Sequence, residues 1–145
     1  MEKAIQLFSV WFFYSYPDWR QALSLCEKAI EEFRDLSADQ QNNIQIVRIA
    51  MEIRRKNKPN LPYSKGVDAW FRSPINLDLS GWWSFQWKTP EFLVSPLLWR
   101  MLGLPRSEVA AGMGLTESTL VLRENKALQE LGAVLRKNVG VIREQ

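Results

Sequence analysis

A chain of 145 residues, 46% of them hydrophobic and 12% aromatic with seven Trp, has the apolar surface for one domain or two very small ones, and too much to stay disordered. Its net charge of +3 is modest, and it contains no His, which excludes His-dependent hydrolytic triads and His general-base chemistry and disfavours most zinc sites. No GxGxxG or GxxxxGKS/T pattern is present either, so the expectation is a protein that is not an enzyme and uses no metal or cofactor.

The charge is unevenly spread. Residues 1–53 hold five Lys/Arg against eight Asp/Glu, residues 54–90 seven against two, and residues 91–145 seven against six. A basic middle permits contact with nucleic acid without requiring it. The single Cys26 sits in a helical pattern as a small apolar filler and forms no intramolecular disulfide, which fits a reducing compartment. The run "LFSVWFFYSY" is short of the roughly 20 residues that span a bilayer. No signal-peptide pattern precedes it. A cytoplasmic location with no membrane partner is therefore expected.

In chain order, residues 2–15 read as helix, with Ile5, Phe8, Phe12 and Phe13 at three- and four-residue steps. Pro17 breaks the pattern, and "PDW" opens a second helix over 18–35. There Trp19, Ala22, Leu23, Cys26, Ala29, Ile30 and Phe33 share one face. Ser37, with Gln40 three residues on, is placed to cap a third helix over 38–57. That helix carries Ile44, Val47, Ile49, Ala50 and Ile53 and ends in the cations of "RRKNKPN". Pro and Gly punctuate residues 59–89, where only "GVDAWFRS" suggests a short helix. "INLDLSGWWSFQWK" alternates like a strand but reads better as a Trp-rich linker. Helix resumes over 90–103, with Thr89 as N-cap and Pro96 expected to bend or split it. Two further helices follow, 106–113 and 117 to about 139.

The fold class expected is thus all-α, in two small helical parts. Residues 1–58 form the first, 59–89 a basic, Pro/Trp-rich irregular linker, and 90–145 a helix-turn-helix part. The last rests on "SEVAAGMGLTESTLVLREN". Ala110 and Ala111 are small enough for two helices to cross, Gly114 suits a left-handed turn, and Thr116 can cap the second helix. Leu115 and Leu120 would pack between the two.

The stretch "LGLPRSEVAAGMGLTESTLVLRENKALQELGAVLR" resembles region 4 of bacterial sigma factors, most of all the short extracytoplasmic-function group. Glu108, Val109, Ala110, Met113, Gly114, Leu115 and Thr116 follow that family's first helix and turn. Thr119, Leu120, Arg123, Lys126 and Ala127 follow its T-V-x-x-R-x-x-R/K-A signature, and Leu131 its closing Leu. "ALSLCEKAI" more weakly resembles the region 2 helix that docks on the polymerase clamp, keeping Ala22, Leu25 and Ile30 but not the acid or the Gln-Glu pair. "IVRIAMEIRR" is similar to the helix that melts and reads the upstream promoter element.

The resemblance implies a transcription regulator that binds promoter DNA, with RNA polymerase as a further partner. Arg106, Glu117, Ser118, Val121, Leu122, Arg123, Asn125 and Lys126 are the DNA-contacting candidates. Arg54, Arg55, Lys56 and Lys58 are candidates for backbone contact, with Tyr63, Trp70 or Phe71 to stack on an unpaired base. Trp82, Trp83 and Trp87 are candidates for partner docking. The chain also departs from the family. Val121 and Leu122 stand where polar residues usually face the groove, and Glu124 where an apolar residue packs inward. A second reading is therefore a sigma-derived module for protein interaction or self-association that no longer reads DNA.

Overall fold

The computed structural model describes residues 1–59 and 80–143. Among these residues it is all-helical, with seven α-helices and no strand. They are α1 (Glu2–Ser15), α2 (Trp19–Arg34), α3 (Asn43–Lys56), α4 (Ser80–Lys88), α5 (Glu91–Met101), α6 (Arg106–Met113) and α7 (Glu117–Arg143).

Local chemistry accounts for most of the boundaries. Asp18 starts α2, its carboxylate accepting from the backbone N–H of Arg20 at 2.9 Å. The third helix begins later than the sequence suggests. Residues Ala38–Gln40 form one 3-10 turn, and Asn42 rather than Ser37 caps α3, accepting from Gln45 N at 3.1 Å. Asn is as good an N-cap as Ser, and its place next to the first buried residues, Ile46 and Val47, decides between them. Pro96 stays inside a continuous α5 instead of splitting it. Thr89 does not cap that helix. Pro90 holds the cap position, and the Thr89 hydroxyl is buried without a hydrogen-bond partner.

The largest correction concerns the expected linker. Its last third, Ser80–Lys88, is the helix α4. Phe85 and Trp83 are buried, and Trp82 donates its indole N–H to the carbonyl of Tyr14 at 2.7 Å. The short helix expected at "GVDAWFRS" and the residues Tyr63, Trp70 and Phe71 lie outside the described residues.

Residues from both sides of that segment build one core. Phe8, Trp11, Phe12 and Tyr16 of the α1 region, Phe33 of α2 and Val47 and Ala50 of α3 pack in the same cluster as Trp99, Val109, Ala110 and Leu120. The indoles of Trp11 and Trp99 stack with centroids 5.0 Å apart and planes 11° from parallel, joining α1 to α5. A second, smaller cluster of Phe85, Leu93, Val94, Leu97 and Ala127 holds α4 and α5 against α7. The helix-turn-helix thus rests on the N-terminal helices.

Candidate nucleic-acid interface

The bend that a helix-turn-helix requires is present. α6 ends at Gly114, whose φ of 69° and ψ of 31° are left-handed. Leu115 N donates to Ala110 O at 2.8 Å and Gly114 N to Ala111 O at 3.2 Å, satisfying the last carbonyls of α6. Thr116 then starts α7, its Oγ1 accepting from Thr119 N at 3.2 Å. Val109, Ala110 and Leu120 are buried where α6 and α7 meet, and Leu115 is half-buried.

Of the two small residues expected at the crossing, Ala110 is buried in the cluster that holds Leu120. Ala111 is exposed. It is Gly112 that touches a neighbour, and that neighbour is α3: a Cβ on Gly112 would lie 2.5 Å from Val47 Cβ and 2.9 Å from Ile44 O. Asn43 Nδ2 donates to Glu108 Oε2 at 2.6 Å and fixes the same contact from its polar edge. Gly112 therefore sets how the whole motif sits on the body.

α7 turns one side inward, through Leu120, Glu124 and Ala127, and presents the other to solvent. Glu117, Ser118, Asn125 and Lys126 are exposed, Val121 is half-buried, and Leu122 is 71% exposed. Glu124 does not confront the groove side at all. It is 5% exposed, with Arg100 Nε 2.6 Å from Oε1 and Arg106 Nε 3.2 Å from Oε2. The Arg106 contact is an aligned hydrogen bond, and the Arg100 contact is a close ion pair without that alignment. Two guanidiniums around one carboxylate leave the cluster with a net positive charge. Arg106 remains half-exposed at the first position of α6, steered by Glu124.

The other candidate cations are more occupied. Arg123 lies over the Phe92 ring at 5.3 Å, a cation–π contact that leans it toward α5. Arg54 is not on the surface. It is 3% exposed, bonded to Glu91 Oε1 at 3.2 Å and to Ser15 O at 3.1 Å, with the Trp11 and Tyr16 rings beside it. It is a structural cation and offers nothing to a DNA backbone. Arg55 and Lys56 are exposed and share Glu52, at 3.1 and 3.5 Å. The hydrogen bond from Arg55, followed by the charge of Lys56, holds the Glu52 carboxyl below the usual carboxylate range. Such surface pairs are weak.

Asn43, at the start of α3, faces α6, while Arg55 stands twelve residues along the same helix, about 18 Å away at the usual rise per residue. Of the docking candidates, Trp83 is buried, Trp82 is committed to Tyr14 and half-buried, and Trp87 keeps 39% exposure. Sequence reasoning named Glu108 without its bond to Asn43, and it missed Arg100 and Gly112. Only Gly112 left a readable trace, as a helix-breaking residue inside a helical pattern.

Comparison with family models, curated proteins and solved structures finds no match to this chain.

Proposed function

We propose that this protein is a sigma-factor-like transcription regulator that docks α7 into the major groove of promoter DNA. The observation that carries this reading is the Gly114 bend, which is followed by an exposed outer face at the start of α7, with Arg106 at the first position of α6. A helix-turn-helix uses that geometry to place the start of its second helix on base edges, while the first helix crosses the backbone. In this role Arg106 holds a phosphate, kept in position by Glu124. Asn125 reads a base edge, Val121 and Leu122 meet thymine methyl groups, and Lys126 adds a second phosphate contact. RNA polymerase engagement through α1–α3 belongs to the same reading, as the partner that the family resemblance supplies.

The test is selection from a random duplex library followed by anisotropy titration. A preferred sequence is expected. Arg106→Ala and Lys126→Ala should each weaken binding to all duplexes alike, and Asn125→Ala should relax preference at one position by about 1–3 kcal/mol. No enrichment over a random pool overturns the proposal.

A second reading is favoured by one specific observation: Leu122 is 71% exposed, and Leu128 and Leu135 on the same helix are each 52% exposed. Large apolar side chains left in solvent along one helix suit a protein interface. On this reading Leu122→Glu dissolves a self-associated species in light scattering and changes no DNA affinity.

A further inference from the structure

Three charged side chains from three helices meet at one point: Arg100 near the end of α5, Arg106 at the first position of α6 and Glu124 on the inward side of α7. Their settings differ. Glu124 is buried, the Arg100 side chain is 29% exposed and that of Arg106 is 52% exposed. Arg100 is held from two sides, with Nε 2.6 Å from Glu124 Oε1 and Nη1 donating to the carbonyl of Leu104. Arg106 has a single partner among the described residues. Its Nε donates to Glu124 Oε2 at 3.2 Å, and its two terminal amino groups donate to no described residue.

Little water screens a buried carboxylate, so it holds a neighbouring cation strongly. Alone with Arg106, Glu124 would take that guanidinium as its whole counter-charge. With Arg100 closer and deeper, the negative charge is already matched, and the three groups sum to +1. The surplus rests on Arg106, the member most exposed to water. A guanidinium tethered only at Nε also keeps the two-pronged edge that suits a phosphate.

We infer that Arg100 is a positioning residue for DNA binding: it touches no phosphate, but by occupying Glu124 it leaves Arg106 as an oriented, available cation. The inference rests on the reading of α6 and α7 as a DNA-binding unit. It is tested by a double-mutant cycle on the full chain, with the selected duplex as probe and affinity followed against salt. Arg106→Ala should lower the slope of log affinity against log salt by about one. Arg100→Met should weaken binding and lower the slope by similar amounts, although Arg106 is still present. The double variant should bind no more weakly than Arg106→Ala alone, because the change at position 100 acts through Arg106. Arg100→Lys keeps a charge beside Glu124 and should restore both readings. Adding Glu124→Gln to Arg100→Met should also recover the slope, and it leaves no unmatched buried charge to unfold the chain. Circular dichroism at the assay temperature checks that each variant is folded. An Arg100 with only a structural role would lower the urea midpoint of Arg100→Met and leave the slope of the folded chain unchanged. If the wild-type chain binds no duplex, the DNA reading fails and this inference falls with it. If Arg106→Ala weakens binding while Arg100→Met does not, or if the two effects add, the DNA reading stands and this inference alone is overturned.

Discussion

Glu124 shows how one side chain changes meaning between sequence and structure. Beside a phosphate it would repel, yet here it points inward and neutralises part of a two-arginine cluster. Its removal leaves Arg100, only 29% exposed, without a counter-charge. Glu124→Gln is therefore expected to lower stability by about 1–3 kcal/mol in urea melts. Arg106→Ala should cost less than about 1 kcal/mol, because Arg106 is half in water and Glu124 keeps Arg100. Tyr16 sets a second residue-scale expectation. Its hydroxyl donates to Asn57 O at 2.5 Å in a buried setting, and burial pushes its pKa up to about 12. The folded-state value lies above the unfolded one near 10, so the neutral phenol stabilises fully below about pH 10. That contribution, on the order of 2 kcal/mol, is lost as pH rises from about 10 to about 12. Tyr16→Phe should flatten this part of the stability–pH curve measured by chemical denaturation at pH 9 and 11.

At the scale of elements, two glycines two residues apart in sequence do different work. Gly114 is left-handed with open space around it, so Gly114→Ala should cost about 1–2 kcal/mol of backbone strain alone. Gly112 is helical, and its Cβ would strike Val47 and the Ile44 carbonyl. Gly112→Ala should therefore force α3 and α6 apart at a cost of about 2–3 kcal/mol, read as a larger shift of the urea midpoint. The sequence made Gly114 legible because a turn between two periodic segments needs such a residue. It could not show what Gly112 touches, because its partner lies on α3, over sixty residues earlier. The same distinction separates the helices that could be foreseen from the one that could not. α1, α2 and α7 carry an apolar stripe against a polar back, so their period is visible. In α4, Gly81 and the six consecutive uncharged residues after it hide any period, and burial against Tyr14 and α7 makes it a helix. Thr116 and Asp18 cap as their types suggest, while Ser37 loses to Asn42 because the packing of Ile46 and Val47 fixes where α3 begins.

Across the whole molecule, the division at residues 58 and 90 is a division of the chain more than of the core. Trp99, Val109, Ala110 and Leu120 complete a cluster built from α1, α2 and α3. A fragment spanning 90–145 would expose the stacking face of Trp99 and the Gly112 side of α6. It should lack a cooperative thermal transition by circular dichroism, whereas the full chain should melt as one unit. Seating the motif on the N-terminal helices also means that α7 offers its outer face in one orientation set by the body. The most direct test of that face is a salt titration of the full chain on its selected duplex. A DNA reader should bind with log affinity falling linearly in log salt, and Arg106→Ala and Lys126→Ala should each reduce the slope by about one. Undetectable binding at low salt, together with mass in light scattering that rises with protein concentration and falls on Leu122→Glu, would contradict it.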